Sequence, residues 1–171
     1  MKIVIFGPSS AGKTTLGKAL SNKLGVPIIE ADEEVKKLNN GIWPNEEKTI
    51  DTYFDKINTD VLLRKNIIYI ISWLEKDRIF EFNKVGFHLI NLRGDFEVLL
   101  ARRIRRDNPK KHLIDRFRNN YFRYLKIVND SKVSSAFLLD INTTGLNSEE
   151  VLDKAYTVLH ETLSVEKLRN S

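Results

Sequence analysis

The chain begins Met1-Lys2-Ile3-Val4-Ile5-Phe6-Gly7-Pro8-Ser9-Ser10-Ala11-Gly12-Lys13-Thr14-Thr15. The apolar run Ile3 to Phe6 predicts a fully buried strand over residues 2–6. The loop that follows has the spacing G-x-x-x-x-G-K-[ST], and Leu16, Ala19, Leu20 and Leu24 recur at helical spacing across Lys13 to Leu24. Strand, glycine-bounded loop and helix in that order make a phosphate-binding loop. The glycines let the backbone turn tightly and bring its N–H groups against phosphate oxygens. The helix that starts at the loop's end points its free N–H groups and positive dipole end at the same anion. Gly7, Ser9, Ser10, Ala11, Gly12, Lys13, Thr14 and Thr15 are therefore the predicted phosphate cradle. Lys13 can reach the β- and γ-phosphates, and Thr14 can offer its hydroxyl to Mg²⁺. The motif implies a nucleoside triphosphate and leaves open what receives its phosphate.

At 171 residues a single domain over 1–171 is expected, large enough to bury a real core. The chain has no cysteine, which excludes disulfides and thiolate zinc sites and favours a reducing, cytoplasmic setting. The apolar run near the N-terminus is too short for a signal peptide, and no run approaches a membrane span. The net charge of +5 is concentrated: ten Lys/Arg against Asp107 and Asp115 give +8 between Arg102 and Lys126, leaving the rest of the chain at about −3.

Further strands are predicted at 26–29, 67–71, 87–92 and 136–141, alternating with helices at 33–38, 46–64, 76–83, 96–106, 113–128 and 151–163. Asn45 is the expected N-cap of the third helix and Ser148-Glu149-Glu150 of the last. Residues 164–171 form a polar tail expected to fray. Five strands alternating with helices imply an α/β, three-layer fold with a parallel sheet covered on both faces. In such sheets ligands bind beyond the carboxyl ends of the strands. The functional residues should therefore follow the strands: the phosphate loop, Glu30 and Asp32, Ser72 and Trp73, Arg93 and Gly94, and Asn142 to Asn147.

With a phosphate loop, two acids one residue apart after strand two and a basic segment after strand four, the chain resembles the P-loop kinases related to shikimate kinase, gluconate kinase and adenylate kinase. Leu92-Arg93-Gly94-Asp95-Phe96-Glu97-Val98 is similar to the L-x-G-D-F-x-V segment of gluconate kinases. Arg102 and Arg106 fall where that family has one arginine at the end of a helix and another one turn later, in a lid. The resemblance implies strand order 2-3-1-4-5, a short helical lid at about 105–118, and an ATP- and Mg²⁺-dependent kinase acting on a hydroxyl of a small metabolite of sugar-acid or polyol type. It implies that Glu30 orients the metal and Asp32 the acceptor hydroxyl, that Arg102 stacks on adenine, and that Arg106 reaches phosphate. It also implies that Asn142 to Thr144 border the base, largely through their backbone. The sequence departs from the D-x-D of the family at Glu30 and from its glycine-rich strand-three exit at Ser72-Trp73.

Each residue also has a plainer reading. Asp32 could N-cap the helix at Glu33, and the cations could form a solvated helix face. Trp73 and Arg64, candidates for the acceptor pocket, could be packing and surface residues. Basic residues interleaved with Phe117, Tyr121, Phe122 and Tyr124 admit a nucleic-acid 5′-hydroxyl kinase, although aromatics at helical spacing belong more often to a core. A nucleoside monophosphate kinase is a further alternative, weakened by the absence of arginine between Met1 and Leu63, since such enzymes grip the acceptor phosphate with arginine. A small-molecule acceptor, no membrane, and a monomer or homodimer complete the expectation.

Overall fold

The computed structural model describes residues 1–169. Its strands are β1 (Lys2–Phe6), β2 (Ile28–Glu30), β3 (Ile67–Ile71), β4 (His88–Arg93) and β5 (Leu139–Asn142). They pair in parallel in the order β2-β3-β1-β4-β5. The helices are α1 (Lys13–Leu24), α2 (Ala31–Leu38), α3 (Glu47–Leu62), α4 (Lys76–Lys84), α5 (Phe96–Asp107), α6 (Lys111–Val128), α7 (Ser131–Ser134) and α8 (Ser148–Arg169). None is long and apolar enough to cross a membrane, among the described residues.

Side-chain alternation along the central strands decides the layering. Ile3, Ile5, Ile68, Ile70, Ile90 and Leu92 face one layer, where Leu16 and Leu20 of α1, Leu99 of α5 and Ala155 and Leu159 of α8 cover them. Val4, Phe6, Tyr69, Ile71 and Leu89 face the other, under Val35 of α2, Val61 of α3 and Ile79 and Phe82 of α4. Helix α6 serves both: Phe117 and Tyr121 join the first cluster, Tyr124 and Val128 the second. A fully buried apolar side chain of this size contributes about 1.5–3 kcal/mol, so this double cover dominates the stability of the sheet.

Register brings the strand ends together. Phe6 pairs with Ile71 and Asn91, Glu30 with Ile70, and Arg93 with Asn142. The residues that follow these ends form one rim. Gly7 is the tightest point on it. Its φ is 148°, and a Cβ there would lie 2.1 Å from the Leu92 carbonyl oxygen, so only glycine lets the loop leave β1 so close to β4.

Several boundaries differ from expectation, each for a local reason. Strand β2 starts at Ile28, because Pro27 has no N–H and joins the ladder only through its carbonyl, which accepts from Ile68 at 2.8 Å. Helix α2 starts at Ala31, so Asp32 lies inside its first turn and is not a cap. Helix α3 is preceded by Glu46, not Asn45. The short helix α7 takes up chain expected to lead into the last strand, and β5 begins at Leu139. The cap of α8 is Asn147: its Oδ1 accepts from the N–H groups of Glu149 and Glu150, and Glu150 accepts from the N–H of Asn147. That is a capping box set one residue earlier than Ser148. The tail from Ser164 continues as helix to Arg169, while residues 170 and 171 lie outside the described residues.

The segment expected as a lid is the end of α5, a break at Asn108-Pro109-Lys110, and the first turns of α6. Asn108 has φ 41° and its N–H closes on the Ile104 carbonyl. Phe117, buried, anchors the far side.

Buried Asn91 ties this layer to the sheet. It accepts from the Tyr124 hydroxyl at 2.8 Å and donates to Asp140 at 3.1 Å. Replacing Tyr124 by phenylalanine strands the Asn91 oxygen, and a loss of about 1–3 kcal/mol is expected, read from the urea midpoint. An unchanged midpoint would show that the bond contributes nothing.

Candidate active site

At the carboxyl rim of the sheet a cleft of about 430 Å³ is lined by residues 9–16, Glu30, Ala31, Asp32, Ser72, Arg102, Arg106 and the loop from Thr143 into α8. The backbone of the phosphate loop is shaped by Ser10 at φ 66° and Gly12 at φ 92°. Helix α1 has Gly12 as its N-cap and no side-chain capping bond. Its first N–H groups are thus left without a side-chain cap where an anion would sit.

Lys13 is buried and donates from Nζ to the Pro8 carbonyl at 2.9 Å. Burial lowers its pKa to about 8; Asp32 and Glu30 push it upward, and Arg106 opposes them. Across the cleft, Glu30 ends β2 and accepts from the Thr14 hydroxyl at 2.8 Å. Asp32, one residue into α2, keeps a solvent-exposed face, yet the protein crowds its carboxyl enough to raise its pKa, against the pull of Lys13. One wall therefore carries two acids and the floor one ammonium. The alternation of β2 brings Glu30 to the rim, and the immediate start of α2 brings Asp32 beside it.

Arg102 and Arg106 lie one turn apart on α5, and both line the cleft. Arg102 is held by Thr143, donating to its carbonyl at 2.9 Å and its hydroxyl at 3.2 Å. Thr143 is itself buried and donates its hydroxyl to the Arg93 carbonyl. Arg106 lies against Asp107, with bonds of 2.7 and 2.8 Å.

The structure thus brings Ser9 to Thr15, Glu30, Asp32, Arg102 and Arg106 into one cleft, with Gly7 at its base. Trp73 and Arg64 lie outside this lining, and Asn142 and Thr144 flank Thr143, which belongs to it. Asn142 accepts from the N–H of Thr144, and the Thr144 hydroxyl accepts from the N–H of Asp95, so both side chains brace the loop. Trp73 donates to Glu75 at 3.0 Å and lies under the Arg123 guanidinium, 4.4 Å from the ring centre, outside the cleft lining. Arg64 is exposed just before β3, at the opposite end of the sheet from the phosphate loop.

Thr143, inside the expected loop Asn142 to Asn147, holds Arg102. One contributor comes from outside the expected site. Arg103, set aside among the surface cations, donates to the Ser9 hydroxyl at 2.8 Å. The N-x-x-E pattern Asn147 to Glu150 would have located the loop's end, whereas nothing local marks Arg103.

A phosphate loop, an acid pair and two arginines around one cleft define a P-loop phosphotransferase of the small-molecule kinase group. The AAA domain family model matches residues 3–126, and the chain belongs to that family. It is 24% identical over 163 residues to a Methanocaldococcus jannaschii protein named "Putative adenylate kinase", covering 90% of this chain and 83% of that one. A shikimate kinase from Acinetobacter baumannii, solved in complex with shikimate, superposes with a TM-score of 0.77 at 20% identity, over 94% of this chain and 93% of that one. A gluconokinase from Sinorhizobium meliloti gives 0.69 at 17% identity, over 99% and 97%.

The low pKa of Lys13 has a stability consequence with a definite sign. Between about 8 and 10.5 the unfolded chain holds a proton here that the folded chain does not. This contribution to stability therefore rises with pH through that window, and below it the buried charge is a burden. Lys13→Met should be more stable than wild type at pH 7 by about 3 kcal/mol, with the gap closing toward pH 10.5. Urea titrations at pH 7 and 10 check this, and a pH-independent gap would contradict it.

Proposed function

We propose that the protein is an ATP- and Mg²⁺-dependent kinase that phosphorylates a hydroxyl of a small metabolite of polyol or sugar-acid type. The observation that carries this reading is the Thr14–Glu30 contact at 2.8 Å beside Asp32, facing the buried Lys13 amine. The hydroxyl and carboxylate suit Mg²⁺, which keeps several waters and takes few protein ligands. That fits the lack of any cluster of three His, Cys, Asp or Glu residues among those described. Bound Mg²⁺ supplies charge neutralisation on the phosphates.

The chain's own residues have separate tasks. Backbone N–H groups of residues 9–15 and the Lys13 amine hold the triphosphate. Arg102, fixed by Thr143, offers a planar surface for the base. Asp32 accepts the proton of the acceptor hydroxyl as the hydroxyl oxygen attacks the terminal phosphorus, whose bond to the bridging oxygen breaks so that the nucleoside diphosphate leaves with that oxygen. Its raised pKa makes it a better base than an ordinary carboxylate. Arg106 stabilises charge on the transferred phosphoryl oxygens, and the α5–α6 break lets the lid close to exclude water. A cytoplasmic setting fits the cysteine-free chain.

A second reading, a nucleoside monophosphate kinase, is favoured by the name of the Methanocaldococcus relative. Against it stands the lack of arginine between Met1 and Leu63. The nucleic-acid reading is weakened because Phe117, Tyr121 and Tyr124 are buried in the core and offer no stacking surface.

The test is a coupled assay of ATP consumption over neutral polyols, sugar acids, shikimate, monophosphates and a 5′-hydroxyl oligonucleotide. Turnover with a polyol or sugar acid is expected, with Lys13→Ala abolishing it and Asp32→Asn lowering kcat by about 10²–10⁴. Full turnover by either variant would overturn the assigned roles. The pH profile of kcat/KM should rise as Asp32 loses its proton, above the usual carboxylate range. It should then fall beyond about 8 as Lys13 loses its own. A profile flat from pH 5 to 9 would exclude this acid–base pair.

A further inference from the structure

We propose that Arg103 and Asp107 are positioning residues that couple the phosphate loop to Arg106, so that Asp107 occupies the Arg106 guanidinium at the cleft wall until a triphosphate competes for it. The inference rests on the kinase reading above and goes beyond it, since neither residue needs to touch substrate.

Four contacts form a chain. Arg103 Nη1 donates to the Ser9 hydroxyl on the phosphate loop at 2.8 Å. The Arg103 Nη2 is 4.0 Å from Asp107 Oδ2. Asp107 gives both its oxygens to Arg106, at 2.7 and 2.8 Å. Arg106 in turn lines the cleft that Ser9 opens. The Arg103 guanidinium also lies 5.7 Å from the centre of the Phe117 ring, which seats it between α5 and α6. One arginine therefore bridges the loop, the lid helix and the helix beyond the hinge.

Two features make this more than a structural tie. Asp107 is shared unequally. Its two oxygens are taken up by Arg106 at short distance, and Arg103 is left at the limit of an ion pair. A carboxylate between two guanidiniums can exchange one for the other. The side-chain nitrogens and oxygens that are buried without a hydrogen-bond partner, among the described residues, are Arg103 Nε and Ser10 Oγ. Both lie on the seam between the phosphate loop and α5. The Arg103 Nη2 already faces Asp107, so the Arg103 guanidinium can take over that carboxylate, and the exchange frees Arg106. Asp107 ends α5, directly before the left-handed Asn108 and Pro109, so the exchange sits at the hinge. Asp107 and Arg106 are 35% and 57% exposed, so the pair is weak enough to be broken by a competing phosphate.

The consequence is a competition. A contact that engages the Arg106 guanidinium lowers the apparent affinity for the ligand that needs it. The test is calorimetric titration of the full chain with Mg²⁺ and a non-hydrolysable ATP analogue. Asp107→Asn should tighten binding about two- to fivefold, the range an exposed ion pair allows. In an Arg106→Ala background the same substitution should change nothing. Arg103→Met should weaken binding, because Asp107 then has no second guanidinium to turn to, and adding Asp107→Asn should restore the tightening, because it frees Arg106 directly. The control in the Arg106→Ala background separates release of Arg106 from the general effect of removing one negative charge. Equal tightening in both backgrounds, or no tightening in wild type, overturns the coupling while leaving the kinase reading intact. A wild-type chain that does not bind the analogue overturns both.

Discussion

A lysine ammonium buried at the mouth of the phosphate loop is the constraint around which the site is arranged. Water stabilises an ammonium far better than a protein interior does. Lys13 is held there by the Pro8 carbonyl and by the field of Glu30 and Asp32. Those acids are available because β2 ends and α2 begins without an intervening loop. The strand order then matters. With β1 central and β3 and β4 on either side, the loop emerges where neighbouring strand ends can supply side chains to it. Gly7, pressed against the Leu92 carbonyl, keeps that emergence tight.

Charge is divided within the cleft. The carboxylates stand on the β2–α2 side, and Arg102 and Arg106 stand on α5, with Lys13 between them. A polyanion entering from the α5 side meets cations and backbone N–H groups. A hydroxyl entering from the other meets hydrogen-bond acceptors. Direct transfer between two small ligands needs this asymmetry, because the phosphate must be attracted and the attacking oxygen must be deprotonated within the same few ångströms. A motor or switch would need a long lever or a second ordered state of the loops instead.

The parts of the site that could be read from sequence are those whose geometry is set locally. The phosphate loop is fixed by its own spacing, and Glu30 and Asp32 by their place at a strand end. Helical periodicity puts Arg102 and Arg106 on one face, and the resemblance to gluconate kinases is what assigns that face to the site. Where a side chain turns away was not legible, because that depends on a distant partner. Trp73 follows a central strand as expected, but Glu75 and Arg123 hold it elsewhere. Arg64, a candidate for the acceptor pocket, precedes β3, and the direction of that strand puts it at the far end of the sheet. The contacts that Thr143 and Arg103 make are not legible for the converse reason. They reach partners 41 and 94 residues away, for which no local pattern exists. The aromatics of α6 illustrate a period read correctly: three of the four are core, and Phe122 is the one left outside.

The two helices that point their N-termini at the cleft end differently. Helix α8 closes its first turn with Asn147 and Glu150, whereas α1 starts at Gly12, which has no side chain to do so. A side-chain cap is worth about 1 kcal/mol, and α1 forgoes it. The fold therefore keeps one helix end incomplete, and whatever anion completes it also becomes part of the folded structure's cohesion. Recognition and stability are linked at that turn, so an anion bound there raises the stability of the folded chain.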